Sequence, residues 1–156
     1  MKCYLIAVGH RMPAWVTDGF NEYARRLNAE LRLELCPLAP APRRRQEPPD
    51  RAIADEGRRQ LAAVPEGALV VALDEHGQDW STVELARRVS GWLAGGRDIA
   101  LLVGGADGLS EACLQRAELR WSLSPLTLPH GLVRVVVAEQ LYRAWSVLNH
   151  HPYHRA

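Results

Sequence analysis

The amino-acid sequence predicts one α/β domain over residues 1–156, with a mostly parallel sheet and helices on both of its faces. Three short, almost wholly apolar runs carry this prediction: CYLIAV (3–8), ALVVALD (68–74) and DIALLVGG (98–105). Such runs are typical of strands that are covered on both faces. Segments with helical periodicity separate them, and strands that alternate with helices indicate a parallel sheet. A chain of 156 residues fits one domain, and it contains no internal repeat or interdomain linker.

The first half of the chain adds a helix, a second strand and a loop to the opening strand. Pro13 opens a helix that carries an apolar stripe. The segment LRLELCPL (31–38) alternates in polarity like a strand with one solvent-exposed face. Prolines surround the arginine triplet Arg43–Arg45 and predict a loop there. The stripe consists of Val16, Phe20, Tyr23 and Leu27, and the prolines are Pro37, Pro40, Pro42, Pro48 and Pro49.

The second half of the chain contains further helices and one more strand. An aspartate at position 50 can cap a helix that runs to about residue 64. Ser81 and Glu84 have the spacing of a capping box at the start of another helix. The segment LRWSLS (119–124) alternates like a strand, and a last helix covers residues 132–149. The apolar positions that support the helix after Ser81 are Leu85, Val89, Trp92 and Leu93.

The composition argues against several classes of protein. No apolar run reaches the roughly 18 residues of a membrane span, and the opening MKCYLIAVGHRMP is better explained as a strand than as a signal peptide. Cys3, Cys36 and Cys113 are odd in number and far apart. They predict a protein of the reducing cytoplasm, without a disulfide framework or a zinc ribbon. The net charge of +1 neither supports nor excludes a nucleic-acid partner.

The stretch VGGADGLS (103–110) is a first candidate for a ligand site. It follows a buried strand and precedes a helix, and ligands of parallel sheets bind beyond the carboxyl ends of the strands. Gly104, Gly105 and Gly108 would let a ligand approach the backbone. The pattern lacks the full G-x-G-x-x-G of dinucleotide-binding proteins. A tight turn between strand and helix explains the glycines equally well.

A second candidate is LSPLTLPHG (123–131). Its Leu123, Leu126 and Leu128 predict a loop that packs inward, and a buried loop must find partners for its backbone polar groups. A flat heterocycle such as adenine, held between leucines, could be that partner. The alternative is a loop whose polar groups are satisfied by neighbouring backbone.

The last helix is apolar around most of its circumference. A helix on one sheet face needs only an apolar stripe of about 100°, so its remaining surface, which includes Val136, Tyr142 and Trp145, predicts a second partner. Because twofold dimers dominate among soluble oligomers, a second copy of the chain is the natural candidate. Such a dimer would carry the tail after this helix to the neighbouring subunit.

The tail HHPYHRA (150–156) gathers half of the six histidines of the chain. It could be a solvated fringe, a metal site or part of an active site completed elsewhere. A metal site is disfavoured because no carboxylate or cysteine lies at a fixed spacing, so we predict no metal. His10 and His76 are expected to be solvated, and the arginine triplet is either a wet loop or an arm that meets phosphates.

Three stretches together resemble a known family. VGGADGLS, the opening LIAVGHRMPAWV (5–16) and the segment 121–155, WSLSPLTLPHGLVRVVVAEQLYRAWSVLNHHPYHR, are similar to the ribosomal RNA large subunit methyltransferase H family, a small bacterial branch of the SPOUT methyltransferases. The resemblance runs essentially from end to end. It implies a homodimer that methylates N3 of a pseudouridine in the helix 69 loop of 23S rRNA on assembled ribosomes, with S-adenosyl-L-methionine as cofactor. It also implies a C-terminal trefoil knot, which general topology rules alone would make very improbable.

The resemblance also assigns residues. The segment APAPRRRQEPPD (39–50) stands where relatives are often rich in glycine and lysine, and it keeps the positive charge. We therefore expect Arg43, Arg44 and Arg45 to contact RNA, and Arg134 is a further candidate for RNA contact. The cofactor pocket falls on Leu73, Gly104, Gly105, Leu123, Ser124, Pro125, Leu126, Thr127 and Leu128.

The chemistry needs a group that accepts the N3 proton or stabilises the anion. His130, Tyr153 and His154 are the candidates, and the sequence does not choose among them. Arg155 and Arg134 could hold phosphate or developing negative charge, and Tyr153 could stack on a base. The tail is accordingly predicted to belong to a composite site that two subunits share.

Two other functions stay open at this point. The chain could be a SPOUT-like ribosome-assembly factor that does not catalyse methyl transfer, or a flavodoxin-like nucleotide-binding module. Cofactor binding distinguishes the module from the other two, and methyl transfer distinguishes the enzyme from the assembly factor.

Overall fold

A computed structural model describes residues 1–27 and 29–155. Strands and helices alternate along these residues. They are β1 (Lys2–Val8), α1 (Ala14–Ala24), β2 (Arg32–Leu38), α2 (Asp50–Ala63), β3 (Leu69–Asp79), α3 (Thr82–Gly95), β4 (Ile99–Val103), α4 (Glu111–Arg116), β5 (Leu119–Ser122) and α5 (His130–Leu148).

The strands form one parallel sheet in the order β2-β1-β4-β3-β5. The central strand β4 is buried along its whole length, as its continuous apolar run predicts. Its Leu101 pairs with Leu5 of β1 on one side and Val71 of β3 on the other. The predicted α/β class and parallel sheet are confirmed. All carboxyl ends of the strands therefore lie at one edge of the sheet, where α/β domains place their ligands.

Helices cover both faces of this sheet. On one face, side chains of α1, α3 and α5 pack together with the strands in the larger apolar cluster, for example Phe20, Val89 and Leu141. On the other face, α2 and α4 cover a smaller cluster that includes Ile6 and Cys113. The two clusters explain why the buried strands show no alternation of polarity.

Two strands need comparison with the sequence predictions. Pro37, which was counted both in the predicted strand 31–38 and among the prolines of the loop, lies in β2 and pairs with Ala7 of β1. Because β2 is an edge strand, a residue without an N–H is tolerated there. Strand β3 continues to Asp79, beyond the predicted end at residue 74, and its register with β5 shifts between Leu73 and Gln78. The intervening residues are polar and carry no apolar pattern, so the sequence did not indicate that pairing resumes.

The surface of α5 is more completely covered within one chain than its composition suggests. Tyr142, predicted to need a second subunit, is only 6% exposed. The ring of Tyr153 lies 4.6 Å from its ring, and the guanidinium of Arg26 lies 5.5 Å from the ring centroid. Trp145 is half-buried and stacks on Tyr142. The prediction was therefore wrong for Tyr142, because the tail and α1 cover this part of the helix.

None of the helices within the described ranges has both the length and the apolar character needed to cross a membrane.

Candidate functional site

A cavity of about 740 Å³ lies at the carboxyl ends of β3, β4 and β5. Its size falls within the range of small-molecule and cofactor pockets. Of the residues predicted to hold a cofactor, all but Pro125 line it. The lining consists of residues 73–76, 103–109, 123–124 and 126–130, with Leu114, Trp121 and Val133.

The glycine turn after β4 forms one wall of this cavity. A Cβ atom on Gly104 would lie 2.3 Å from the carbonyl carbon of Gly108, so no larger residue fits there. Gly108 has φ +82° and donates its N–H to the carbonyl of Gly105 at 3.1 Å. The tight-turn interpretation of the glycines is therefore confirmed. The backbone of the turn also lines the cavity, and the approach of a ligand to it stays a prediction.

The loop from Leu123 to Pro129 forms the opposite wall. It was predicted to pack inward, but Leu126 is 71% exposed, and Leu123 and Leu128 are half-buried. The prediction was wrong for Leu126 because its side chain lines an open cavity and not the core. Local bonds hold the loop: Ser124 Oγ accepts the N–H of Leu126 at 2.9 Å, and Thr127 Oγ1 donates to Glu75 at 3.2 Å. Side chains thus satisfy part of the polar groups of the loop, whereas the alternative interpretation expected neighbouring backbone to do so.

Acidic side chains surround the cavity. Asp74 and Glu75 lie in the irregular part of β3, and Asp107 lies in the glycine turn. Nearby, His76 donates its backbone N–H to Asp74 at 3.2 Å, while its imidazole is largely exposed, as expected. Asp107 is paired with the guanidinium of Arg43, whereas the carboxylates of Asp74 and Glu75 favour a ligand that carries positive charge.

His130 is the predicted catalytic residue that the structure brings to the cavity. It is the first residue of α5, it is half-buried, and it lines the wall opposite the glycine turn. A Cβ atom on Gly9, in the loop after β1, would lie 3.7 Å from its Nε2. His130 therefore sits between this loop and the cavity, where it can reach a bound molecule.

Arg134 does not lie where RNA could reach it. It is 2% exposed, and its guanidinium donates to the carbonyl of Gly9 and, at 3.5 Å, to that of Val8. Its Nε is buried without a partner in the described part of the chain, and burial lowers the pKa of its guanidinium. The predicted contact with RNA or phosphate is therefore wrong for this residue, which instead holds the end of β1.

Arg43 is also engaged within the chain. Its guanidinium bonds to the carboxylates of Glu56 and Asp107, and these bonds, led by Glu56, raise the pKa of Arg43. It is therefore not available to RNA in this structure, contrary to the prediction. Arg44 and Arg45 are exposed on the same loop and keep their predicted role as candidates.

The tail folds back onto its own α5. Tyr153 donates its hydroxyl proton to Glu139 at 2.9 Å, and the guanidinium of Arg143 lies 4.7 Å from the centroid of its ring. Burial, followed by the bond to Glu139, raises the pKa of Tyr153 to about 12. Its phenol therefore keeps its proton at neutral pH and is a poor base. Neither Tyr153, His154 nor the exposed Arg155 lines the cavity of its own chain.

The sequence singled out His154 as a candidate site residue, but it did not single out Glu139. Both ring nitrogens of His154 are buried without a hydrogen-bond partner among residues 1–27 and 29–155. Glu139 accepts bonds from Arg143, Gln140 and Tyr153. The spacing of Glu139 and Arg143 signals their ion pair, but no sequence pattern indicates the bond to Tyr153.

Within the ranges that the structure describes, no three histidine, cysteine, aspartate or glutamate side chains are grouped as a metal site would require.

A parallel sheet, a cavity beyond its carboxyl ends and a wall of close-packed glycines define an α/β protein that binds a cofactor-sized molecule. The family model "Predicted SPOUT methyltransferase" matches residues 1–154. The chain belongs to this family.

Individual relatives agree with this assignment. A protein of Methylococcus capsulatus named ribosomal RNA large subunit methyltransferase H is 60% identical over 155 residues, which cover 99% of this chain and all of that protein. A probable methylase family protein of Haemophilus influenzae has a similar fold, with a TM-score of 0.57 at 17% identity, over 99% of this chain and 70% of that one. A methyltransferase of Legionella pneumophila, solved with bound cofactor SAM, has a TM-score of 0.50 at 11% identity, over 93% of this chain and 66% of that one.

Proposed function

We propose that the chain is a large-subunit rRNA methyltransferase. It transfers a methyl group from S-adenosyl-L-methionine to N3 of pseudouridine 1915, in the helix 69 loop of 23S rRNA, on assembled ribosomes of the cytoplasm. One observation carries the proposal. In a chain with full-length relatives named ribosomal RNA large subunit methyltransferase H, the residues that the resemblance assigns to the cofactor converge from three separate segments on one cavity.

The cavity fits this cofactor in shape and in charge. Gly104 and Gly105 present backbone without side chains, and Leu123, Leu126 and Leu128 supply apolar surface for an adenine ring. The carboxylates of Asp74 and Glu75 suit the positive charges of the sulfonium and the amino group. When bound, the cofactor supplies an electrophilic methyl group on its sulfonium.

The protein must align this methyl group with N3 and exclude water, which lowers the barrier without a strong base. His130 lies at the cavity and can accept the N3 proton or hydrogen-bond the anion. Tyr153 keeps its own proton, so its role is to donate a hydrogen bond or to stack on a base. Both ring nitrogens of His154 are buried and lack a partner among the described residues, and the exposed Arg155 supplies a positive charge.

The tail must come from a second copy of the chain. In one chain it packs on α5 and does not line the cavity, so a site that needs both is incomplete without a partner. We infer a homodimer in which the tail of one subunit completes the cavity of the other. Trp145, half-buried and with its Nε1 unpartnered within the described residues, is one group that a partner subunit would cover.

RNA contact falls to the exposed loop between β2 and α2. Arg44 and Arg45 are exposed there, and positive charge on an exposed loop suits the phosphate backbone. The family's trefoil knot would lie in the segment that carries β5, the cavity loop and α5.

Mass spectrometry of helix 69 fragments tests the function directly. Fragments from cells with the gene should carry one methyl group more than fragments from cells without it. Purified protein, S-adenosyl-L-methionine and unmethylated ribosomes should restore that mass. Cofactor binding without methyl transfer would favour the assembly factor, and failure to bind the cofactor would contradict the proposal.

A further inference from the structure

The guanidinium of Arg43 joins three parts of the fold. It belongs to the loop between β2 and α2, it contacts Glu56 of α2, and it contacts Asp107 of the glycine turn. Nη1 donates to the carbonyl of Ala41 at 2.9 Å and to Glu56 Oε2. Nη2 donates to Glu56 Oε1 at 3.2 Å and to Asp107 Oδ2 at 2.9 Å, and Nε donates to Asp107 Oδ2 at 3.1 Å. All five N–H donors of a guanidinium can be accounted for by these bonds.

The buried carboxylate of Glu56 requires a positively charged partner at this place. Its side chain is 2% exposed, and a carboxylate that is buried without a partner is strongly destabilising. Arg43 neutralises its charge, and the backbone N–H of Ala41 donates to its Oε2 at 2.9 Å. The loop is therefore anchored at this point, although the neighbouring Arg44 and Arg45 are exposed.

The glycine turn packs close to the same carboxylate, that of Glu56. A Cβ atom on Gly105 would lie 3.0 Å from Val8 Cγ1 and 3.7 Å from Glu56 Oε1, so the turn packs closely on its inner side. On its outer side, Asp107 bonds to Arg43. Gly108 has a φ of +82°, a backbone conformation that residues with a side chain rarely adopt. A turn rich in glycine is intrinsically mobile, so contacts on both sides are needed to hold one conformation.

We propose that Arg43 is a positioning residue for the cofactor: through Asp107 it holds the 104–108 turn in the conformation that admits the ligand. The inference rests on the proposed function, because it takes S-adenosyl-L-methionine as that ligand. It also separates the arginine triplet into two roles. Arg43 serves the cavity, and Arg44 and Arg45 serve the RNA.

The replacement Asp107→Asn tests this assignment. The amide keeps the shape of the side chain but loses the charge that attracts Arg43, while Arg43 remains bound to Glu56. The turn then samples other conformations, and the cofactor must order it on binding. We expect the Kd and the KM for S-adenosyl-L-methionine to rise by about fivefold, at the low end of typical coupling between groups. The kcat at saturating cofactor should stay within about twofold, because a bound ligand restores the turn.

The matched control is Glu118→Gln. The carboxylate of Glu118 pairs with the guanidinium of Arg97 at 3.0 Å, and its side chain is about as exposed as that of Asp107. Glu118 lies at the amino end of β5, at the opposite end of the strands from the cavity. Titration calorimetry of each purified variant, without ribosomes, should give wild-type affinity for Glu118→Gln and weaker binding for Asp107→Asn. Equal affinities in both variants would overturn the proposal. If the wild-type protein itself fails to bind the cofactor, the proposed function fails and not this inference alone.

A second variant tests whether the effect of Asp107→Asn comes from the lost bond to Arg43 or from direct contact between Asp107 and the ligand. Arg43 does not line the cavity. Arg43→Lys keeps a positive charge near Glu56 but loses the planar fork that spans two carboxylates. We expect the same rise in Kd for this variant, and no further rise in the double variant, because both changes break one connection. Additive effects in the double variant, or wild-type affinity in Arg43→Lys, would overturn the proposal.

Discussion

The cavity at the carboxyl edge of the sheet is complete within one chain, whereas the tail that follows α5 lies on its own helix. The cavity walls come from β3, the glycine turn and the 123–129 loop, and local hydrogen bonds hold each of them. The tail has Glu139 as its anchor, and His154 has two unpartnered nitrogens among the described residues. From this difference we expect cofactor binding to need one chain alone, and methyl transfer to need the tail of a second chain in the proposed dimer.

Removal of the tail should separate these two properties most strongly. A protein that ends at residue 152 keeps every wall of the cavity, so its affinity for S-adenosyl-L-methionine should stay within about twofold of wild type. Methylation of ribosomes should fall by about a thousandfold, because alignment and proton transfer are both lost. Calorimetry and a methyl-transfer assay measure the two effects. Equal losses of affinity and rate would show that the tail acts on the cavity itself.

A change in the cavity should instead weaken binding of the cofactor. Leu126→Arg places a positive charge and extra bulk at an exposed position, so folding should be unaffected. Cofactor affinity should fall by about a hundredfold, from the loss of about 2–3 kcal/mol of apolar contact and charge complementarity. The control is Val83→Arg, at an exposed apolar position that does not line the cavity. Wild-type affinity in Leu126→Arg would place the ligand elsewhere.

Removal of the Tyr153 hydroxyl, in Tyr153→Phe, should have the smallest effect of the three changes on methylation. Because the pKa of Tyr153 is raised to about 12, its hydrogen bond to Glu139 stabilises the fold fully below the ordinary pKa of about 10. That stabilisation is lost as the pH rises from about 10 to about 12. The difference in the free energy of unfolding between wild type and Tyr153→Phe should therefore shrink over this interval. Cys3, whose pKa burial also raises to about 12, titrates equally in both proteins.

Urea unfolding at a series of pH values measures this difference, with Tyr4→Phe as the control. At neutral pH, Tyr153→Phe should keep methylation within about tenfold of wild type, since a phenol that retains its proton is not the base. Loss of activity as complete as in the tail deletion would contradict this.

The sequence allowed prediction of the sheet and most of the cavity for a physical reason. Continuous apolar runs indicate buried parallel strands, and parallel strands bring their carboxyl ends together. Leu73 and Gly104 lie at the carboxyl ends of such runs, and the 123–128 loop lies at the end of the last predicted strand, so their convergence could be expected. The resemblance to the family then singled them out.

The remaining features depend on contacts between distant residues. Arg43 and Asp107 are 64 positions apart, and nothing in either neighbourhood indicates their ion pair. Leu126 was expected to be buried because residue type does not distinguish a side chain in the core from one that faces a cavity. Arg134 was taken for a surface charge because a buried arginine bound only to carbonyls is uncommon.

Mixed dimers test the central claim, that the tail of one subunit completes the cavity of the other. One subunit carries Leu126→Arg and the other ends at residue 152. With the cofactor well below the Kd of Leu126→Arg, each homodimer alone should be nearly inactive. If the tail acts across the dimer, the mixed dimer retains one complete site, which joins the intact cavity of the truncated subunit to the tail of the other. Methylation should then return to about half the wild-type rate per dimer. Mixed dimers that form and bind ribosomes but transfer no methyl group would contradict the account.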